Sequence, residues 1–154
     1  MAIRQKTTIA MKISADSPSH SLSNIKVRDV EFAIDEPVER GGTNLGPTPT
    51  EAIVSALIGC TNVIGHKCAN ALDIDVGHMH IDVVCEFDRR GVTLAEEIDV
   101  PFKKIVMNVT CDGAADQSDL DRLVVEVAKF CPLSKVFRQA GTVIEENWKP
   151  ATVI

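Results

Sequence analysis

A chain of 154 residues suits one domain, long enough to bury a core and too short for two domains of ordinary size. With 45% hydrophobic residues, 25% charged, 4% aromatic and no Tyr, the composition is globular and the core must be aliphatic. Sixteen Lys and Arg against twenty-two Asp and Glu leave a net charge of −6, which argues against nucleic acid and anionic membranes as partners, because polyanion binding needs clustered cations.

The first residues, MAIRQKTTIAMKI, carry charges where a signal peptide needs an apolar core. The longest apolar stretch, residues 52–65, is shorter than a bilayer span and interrupted by polar residues. A soluble cytoplasmic protein is therefore expected. Ile9, Met11 and Ile13 alternate with Thr8, Ala10 and Lys12, the period of a half-buried strand. After the turn material DSPSHS, Ile25 and Val27 occupy one parity and Val30, Phe32 and Ile34 the other, so a tight turn or a bulge is expected at Arg28-Asp29. DEPVERGGTNLGP is a loop rich in Gly and Pro.

A helix follows with clear start signals: Thr48 as N-cap, Pro49 as first helical residue and Glu51 three after the cap, a capping box. It is expected to run to about Leu72, buried on most sides, with Gly59 and Gly65 marking a close approach beside Cys60. Two strands come next, one placing Met79, Ile81, Val83, Cys85 and Phe87 on one face, the other Ile105, Met107, Val109 and Cys111. Leu120, Leu123, Val124 and Val127 mark an amphipathic helix capped at Ser118 or a neighbour, which stops at Cys131-Pro132. Pro132 opens a short helix closed by Gly141, and TVIEENW is a final strand. The order predicts an α+β domain around an antiparallel sheet.

Five cysteines without regular spacing do not read as a disulfide framework. Cys85 and Cys111 fall on apolar strand parities and read as core, and Cys68 reads as a partly buried residue near a helix end. The neighbours of Cys60 at three and four residues are Ala56, Leu57, Val63 and Ile64, and His66 lies off its face, so periodicity alone favours packing. Cys131 occupies the N-cap of the helix opened by Pro132, where helix N–H groups and the dipole favour a thiolate. That residue stays open between a reactive thiol and the closure of the stripe Val124, Val127 and Phe130. His78, His80 and Asp82 lie along one strand and raise the question of a divalent ion, but no CxxC or HExxH accompanies them and a solvated surface is the better account. No metal or cofactor is expected, and Glu96-Glu97 and Glu145-Glu146 read as solvated charge.

GGTNLGPTPTEAIVSALIGC, followed about seventy residues later by FCPLSK, with DRRG at 88–91 between them, resembles the OsmC/Ohr family, the osmotically inducible protein C and organic hydroperoxide resistance proteins. The likeness runs from about Asp35 to Trp148. It implies one OsmC-like domain over residues 1–154, an antiparallel sheet wrapped around a buried central helix, and an intertwined homodimer. It further implies a thiol-dependent peroxidase that reduces organic hydroperoxides, with Cys60 peroxidatic, Cys131 resolving, Glu51 in the catalytic set and an external dithiol as reductant. The sequence departs from the organic-hydroperoxide branch in placing Thr50 directly after the proline, with Glu51 next, and in offering only Arg28 where that branch has an activating arginine. Glu51 precedes Cys60 by nine residues, roughly 13 Å along a helix and on its opposite side. The other reading is a non-enzymatic dimer that binds a small apolar ligand, with Cys60 as packing.

Overall fold

The computed structural model describes residues 7–152, which divide into two compact units at the step from Ile53 to Val54. The elements run β1 (Ile13–Asp16), β2 (Ser23–Val27), β3 (Val30–Ile34), α1 (Pro49–Ala71), β4 (Met79–Phe87), β5 (Phe102–Cys111), α2 (Gln117–Phe130), α3 (Pro132–Gln139) and β6 (Val143–Pro150). The expected α+β class is present, built from two three-stranded sheets rather than one.

The first sheet is antiparallel throughout, in the order β1-β2-β3. Val27 pairs with Val30, so the parity change is a tight turn, with Arg28 in the left-handed region at φ 55°. The alternation at Ile9 and Met11 lies ahead of β1, which begins only at Ile13.

The loop after β3 is organised by a residue the sequence pattern did not single out. Asp35 is fully buried, and its carboxylate accepts from the N–H groups of Glu36 (2.8 Å), Thr43 (3.1 Å) and Leu45 (3.1 Å) and from the Thr43 hydroxyl (2.5 Å). Four donors around one carboxylate are what makes burying that charge tolerable. The tight wrap leaves no room for side chains at Gly42 and Gly46, where a Cβ would collide with the carbonyls of Glu36 and Ala33.

Helix α1 begins as its sequence predicts. Thr48 Oγ1 accepts from Glu51 N (3.2 Å) and Glu51 Oε2 accepts from Thr48 N (2.8 Å), the two halves of a capping box. Its burial is narrower than expected. Only Leu57, Thr61, Gly65, Cys68 and Ala69 are buried, one stripe at three- and four-residue spacing, and Gly59 has nothing within 4 Å of the position of a Cβ among the described residues. Of the two helix glycines, Gly65 carries the close approach: a Cβ there would stand 3.0 Å from Met79 Cε and 3.2 Å from the Trp148 ring. At 23 residues α1 is, by length and composition, the one described helix able to cross a bilayer, whereas the apolar run read from sequence was too short. Its inner stripe is used as core within the second unit.

The second sheet has the order β4-β5-β6. β4 and β5 pair antiparallel, but β5 and β6 are parallel, a departure from the all-antiparallel expectation. The cause is the connection: α2 and α3 carry the chain back across the sheet before β6 begins, as a parallel pairing requires. The central strand β5 buries Ile105, Met107, Val109 and Cys111, its predicted face, while the edge strand β4 leaves Met79, Ile81, Val83, Cys85 and Phe87 half-buried. Leu120, Leu123 and Val127 of α2 and Phe137 of α3 complete the core, and Phe102 meets Phe87 and Phe137 at ring-centroid distances of 5.0 and 5.3 Å. Helix α2 is capped by Asp116, two residues before Ser118, in a reciprocal box with Asp119.

Asp35 ties the stability of the first unit to pH. Its hydrogen bonds, led by the Thr43 hydroxyl, hold its carboxyl far below the usual range. The stabilisation is therefore complete above the ordinary carboxylate pKa of about 3.9 and is lost as pH falls through the lowered native value. Asp35→Asn is expected to lower the midpoint of urea unfolding at pH 7 and to flatten its decline below about pH 4, measured by circular dichroism at a series of pH values.

Candidate active site

Two thiols from distant parts of the chain meet in the second unit. Cys131 Sγ lies 3.3 Å from Cys60 Sγ, oriented to donate its S–H. Cys60 sits at the margin of the α1 stripe, one residue before buried Thr61 and three after buried Leu57, and is half-buried. Cys131 has no exposed surface at all.

The position of Cys131 follows from the proline after it. Pro132 disfavours helical backbone at the preceding residue, and Cys131 takes φ −71°, ψ 109°, serving at once as C-cap of α2 and N-cap of α3. Its N–H bonds back to Val127 O at 2.8 Å, its carbonyl accepts from Lys135 N at 3.1 Å, and its Sγ accepts from Ser134 N at 3.4 Å. The chain thus turns at this residue, whose sulfur caps the start of α3 and also reaches α1.

The sequence leaves Cys131 open between a reactive thiol favoured by the helix start and a buried core residue. Its surroundings weigh against the thiolate. Burial above all, with the bond to Cys60 adding to it and the Ser134 and Leu133 N–H groups opposing it, pushes the Cys131 thiol up to about 11. Desolvation wins because the residue has no exposed surface and the helix offers only backbone dipoles, so Cys131 is a protonated thiol at neutral pH. Cys68, Cys85 and Cys111 are also shifted up, chiefly by burial; Cys68 and Cys111 are core, and Cys85 lies half-buried on the inner face of β4.

Behind Cys131 lies a polar chain that the sequence reading missed. Ser134 Oγ accepts from Arg138 Nε at 3.2 Å, Arg138 Nη2 meets Glu146 Oε2 at 3.3 Å, and Glu146 Oε1 accepts from Trp148 Nε1 at 3.3 Å. Arg138 Nη1 also reaches the Ile144 carbonyl at 3.4 Å. Glu146 is not solvated charge: its side chain is 8% exposed, and burial raises its carboxyl above the usual range despite the arginine. The signal was available in the alternation of TVIEENW, which puts Glu146 on the face of Ile144 and Trp148. Glu145, on the other parity, is exposed and pairs with Lys104 at 2.8 Å, as solvated charge should.

Glu51 holds the first turn of α1 through its cap. Arg28 occupies the β2–β3 turn. His66 is exposed and bonded to the carbonyls of Asn62 (2.9 Å) and Gly77 (3.1 Å). His78 and His80 are exposed and pair separately with Asp112 and Asp82, and no group of three or more His, Cys, Asp or Glu side chains among the described residues is placed to hold a metal ion.

The family model described as OsmC-like protein matches residues 42–147, from the loop ahead of α1 into β6, both cysteines included. The chain belongs to the OsmC-like family. Solved structures agree on the fold: an OsmC-like protein from Mycoplasma pneumoniae superposes with a TM-score of 0.76 at 16% identity, covering 94% of this chain and 99% of that one. The organic hydroperoxide resistance protein OhrB of Bacillus subtilis gives 0.63 at 20% identity over 92% and 98% of the two chains. An OsmC-like protein of unknown function from Vibrio cholerae gives 0.70 at 9% identity over 92% and 99%. No curated protein matches in sequence. OsmC-like folds thus include hydroperoxide resistance proteins and members without an assigned function.

The unequal burial of the two sulfurs has a direct readout. Treated briefly with iodoacetamide at pH 7.5, the native protein is expected to be alkylated at Cys60 well before Cys131, whose thiolate fraction at a value near 11 is below about one in a thousand. Peptide mass spectrometry after a time course checks the order.

Proposed function

We propose that this OsmC-like protein is a thiol-dependent peroxidase that reduces organic hydroperoxides, with Cys60 peroxidatic and Cys131 resolving. The observation that carries the reading is the 3.3 Å contact between the two sulfurs. Its support is the difference between them: Cys60 borders the surface and can meet a substrate, whereas Cys131 is buried and protonated and stays out of the peroxide's way.

In this mechanism the Cys60 thiolate, receiving the Cys131 S–H, attacks the distal oxygen of ROOH. An S–O bond forms, the O–O bond breaks, and the alkoxide leaves and is protonated to ROH, while Cys60 becomes a sulfenic acid. The Cys131 sulfur then attacks Cys60 Sγ. The S–S bond forms, the S–O bond breaks, and hydroxide departs as water with the Cys131 proton. The sulfurs need to close by little more than about 1 Å to reach disulfide length. An external dithiol reduces the disulfide and restores both thiols. Leu57, Val63 and Ile64 around Cys60 suit an apolar peroxide and limit water, which slows over-oxidation. Glu51 enters as the carboxylate that fixes the start of the helix carrying Cys60.

With cumene hydroperoxide and dithiothreitol, Cys60→Ser is expected to abolish peroxide consumption. Without dithiothreitol, Cys131→Ser should still consume about one equivalent and then stall, with a sulfenic acid at Cys60 that dimedone traps. Wild-type turnover in Cys60→Ser refutes the assignment, and thiols inert to peroxide would leave the apolar-ligand reading.

The working form we propose is a homodimer. The side of α1 away from its buried stripe exposes Gly59 and Val63, the latter 52% exposed, on a helix whose first half is apolar nearly all round. A second copy is the cover that fits a helix of this composition. Sedimentation equilibrium at micromolar concentration is expected to give the mass of two chains, and a single-chain mass refutes it.

A further inference from the structure

The weakness of a resolving thiol like Cys131 is that it is buried and protonated, yet must deliver its sulfur to Cys60 before a second oxidant arrives. Two backbone N–H groups in the first turn of α3 are set against that burden, those of Ser134 and Leu133, and the larger effect is that of Ser134, 3.4 Å from Cys131 Sγ. A donor there acts only if the turn holds it on the sulfur. Ser134 is 5% exposed, and its hydroxyl is engaged by Arg138 one turn on. The guanidinium has its other nitrogens fixed by Glu146 Oε2 and the Ile144 carbonyl of β6, and Glu146 is fixed in turn by Trp148. A cation held at three points, its side chain still 40% exposed, against a carboxylate only 8% exposed in the sheet's inner face, costs more desolvation than an ordinary surface ion pair. It is an economical way to lock a helix turn.

We propose that Arg138 and Glu146 are positioning residues for the resolving step: they clamp the first turn of α3 to β6, so that Cys131 Sγ is held on Cys60 and the Ser134 N–H stays aimed at it as it attacks. This deepens the peroxidase reading and rests on its assignment of Cys131. It separates the two chemical steps, since the clamp touches only the Cys131 side. Loss of the clamp slows disulfide formation and leaves the first attack on Cys60 as it was.

Dithiodipyridine tests the clamp without peroxide. The Cys60 thiolate attacks the reagent, forms a mixed disulfide and releases one pyridinethione. Cys131 then attacks Cys60 Sγ, releasing the second as the S–S bond passes to the pair and the Cys131 proton leaves with the thione. Stopped-flow absorbance, with acid-quenched peptide mapping of the 60–131 disulfide, times each step in wild type, Arg138→Ala, Arg138→Lys and Glu146→Gln.

The expected result is an unchanged first step in all four, with the second slowed on the order of tenfold in Arg138→Ala, less in Glu146→Gln, and partly restored in Arg138→Lys, which keeps one charged donor. In parallel, with cumene hydroperoxide, the Arg138→Ala sulfenic acid should persist and yield more sulfinic acid at Cys60. A second step at wild-type rate in Arg138→Ala overturns the proposal, as does failure of wild type to form the 60–131 disulfide. General loosening would expose Cys111 to the reagent and slow nothing selectively, and that pattern also overturns it. A wild type that resolves the mixed disulfide but ignores hydroperoxide refutes the peroxidase reading, while the variants' second step still decides the clamp.

Discussion

The site depends on a backbone constraint at one residue. Pro132 forbids helical geometry at Cys131, so α2 cannot run into α3 and the chain breaks at the sulfur-bearing residue. Without that break Cys131 would be one more residue of a continuous helix. With it, the side chain caps a helix on one side and reaches a second helix on the other, and the contact with Cys60 becomes possible. Both sulfurs are then held by regular elements, with α1 anchored by its own stripe through Leu57, Thr61 and Gly65.

Burial divides the labour between the thiols. The end of a helix dipole is worth at most about 1–2 kcal/mol to an anion, and a fully buried sulfur pays more than that to ionise. Cys131 is consequently a proton-bearing thiol beside a half-buried one, an arrangement suited to a sequence of two steps rather than to two competing nucleophiles. The same rule acts on Glu146, whose carboxyl is raised by burial although an arginine is in contact with it. Neither group behaves as its residue type alone suggests.

Polar side chains organise both units at places where the backbone must depart from strands and helices. Asp35 gathers the N–H groups of a Gly-rich loop that has no sheet partner for them, and Asp116, Thr48 and Glu51 do the same for helix starts. In each case a carboxylate or hydroxyl accepts from a backbone donor that would otherwise be left unpaired. The Arg138–Glu146 pair differs: it joins two elements through side chains, and it does so directly behind the thiol contact.

Local signals were enough for the start of α1, the inward faces of β4 and β5, the β2–β3 turn and the break at Cys131-Pro132, because capping, alternation and proline sterics act within a few residues. The ordered motifs around Cys60 and Cys131 carried the family as well. The parallel pairing of β6 was not legible, since the direction of a strand depends on where the preceding helices deliver it. Burial of α1 was overread, because an apolar helix reports that it will be covered but not by what. The state of Cys131 and the role of Glu146 were decided only by tertiary structure: desolvation and ion pairing are set by neighbours that lie far along the chain and reach each other only when it folds.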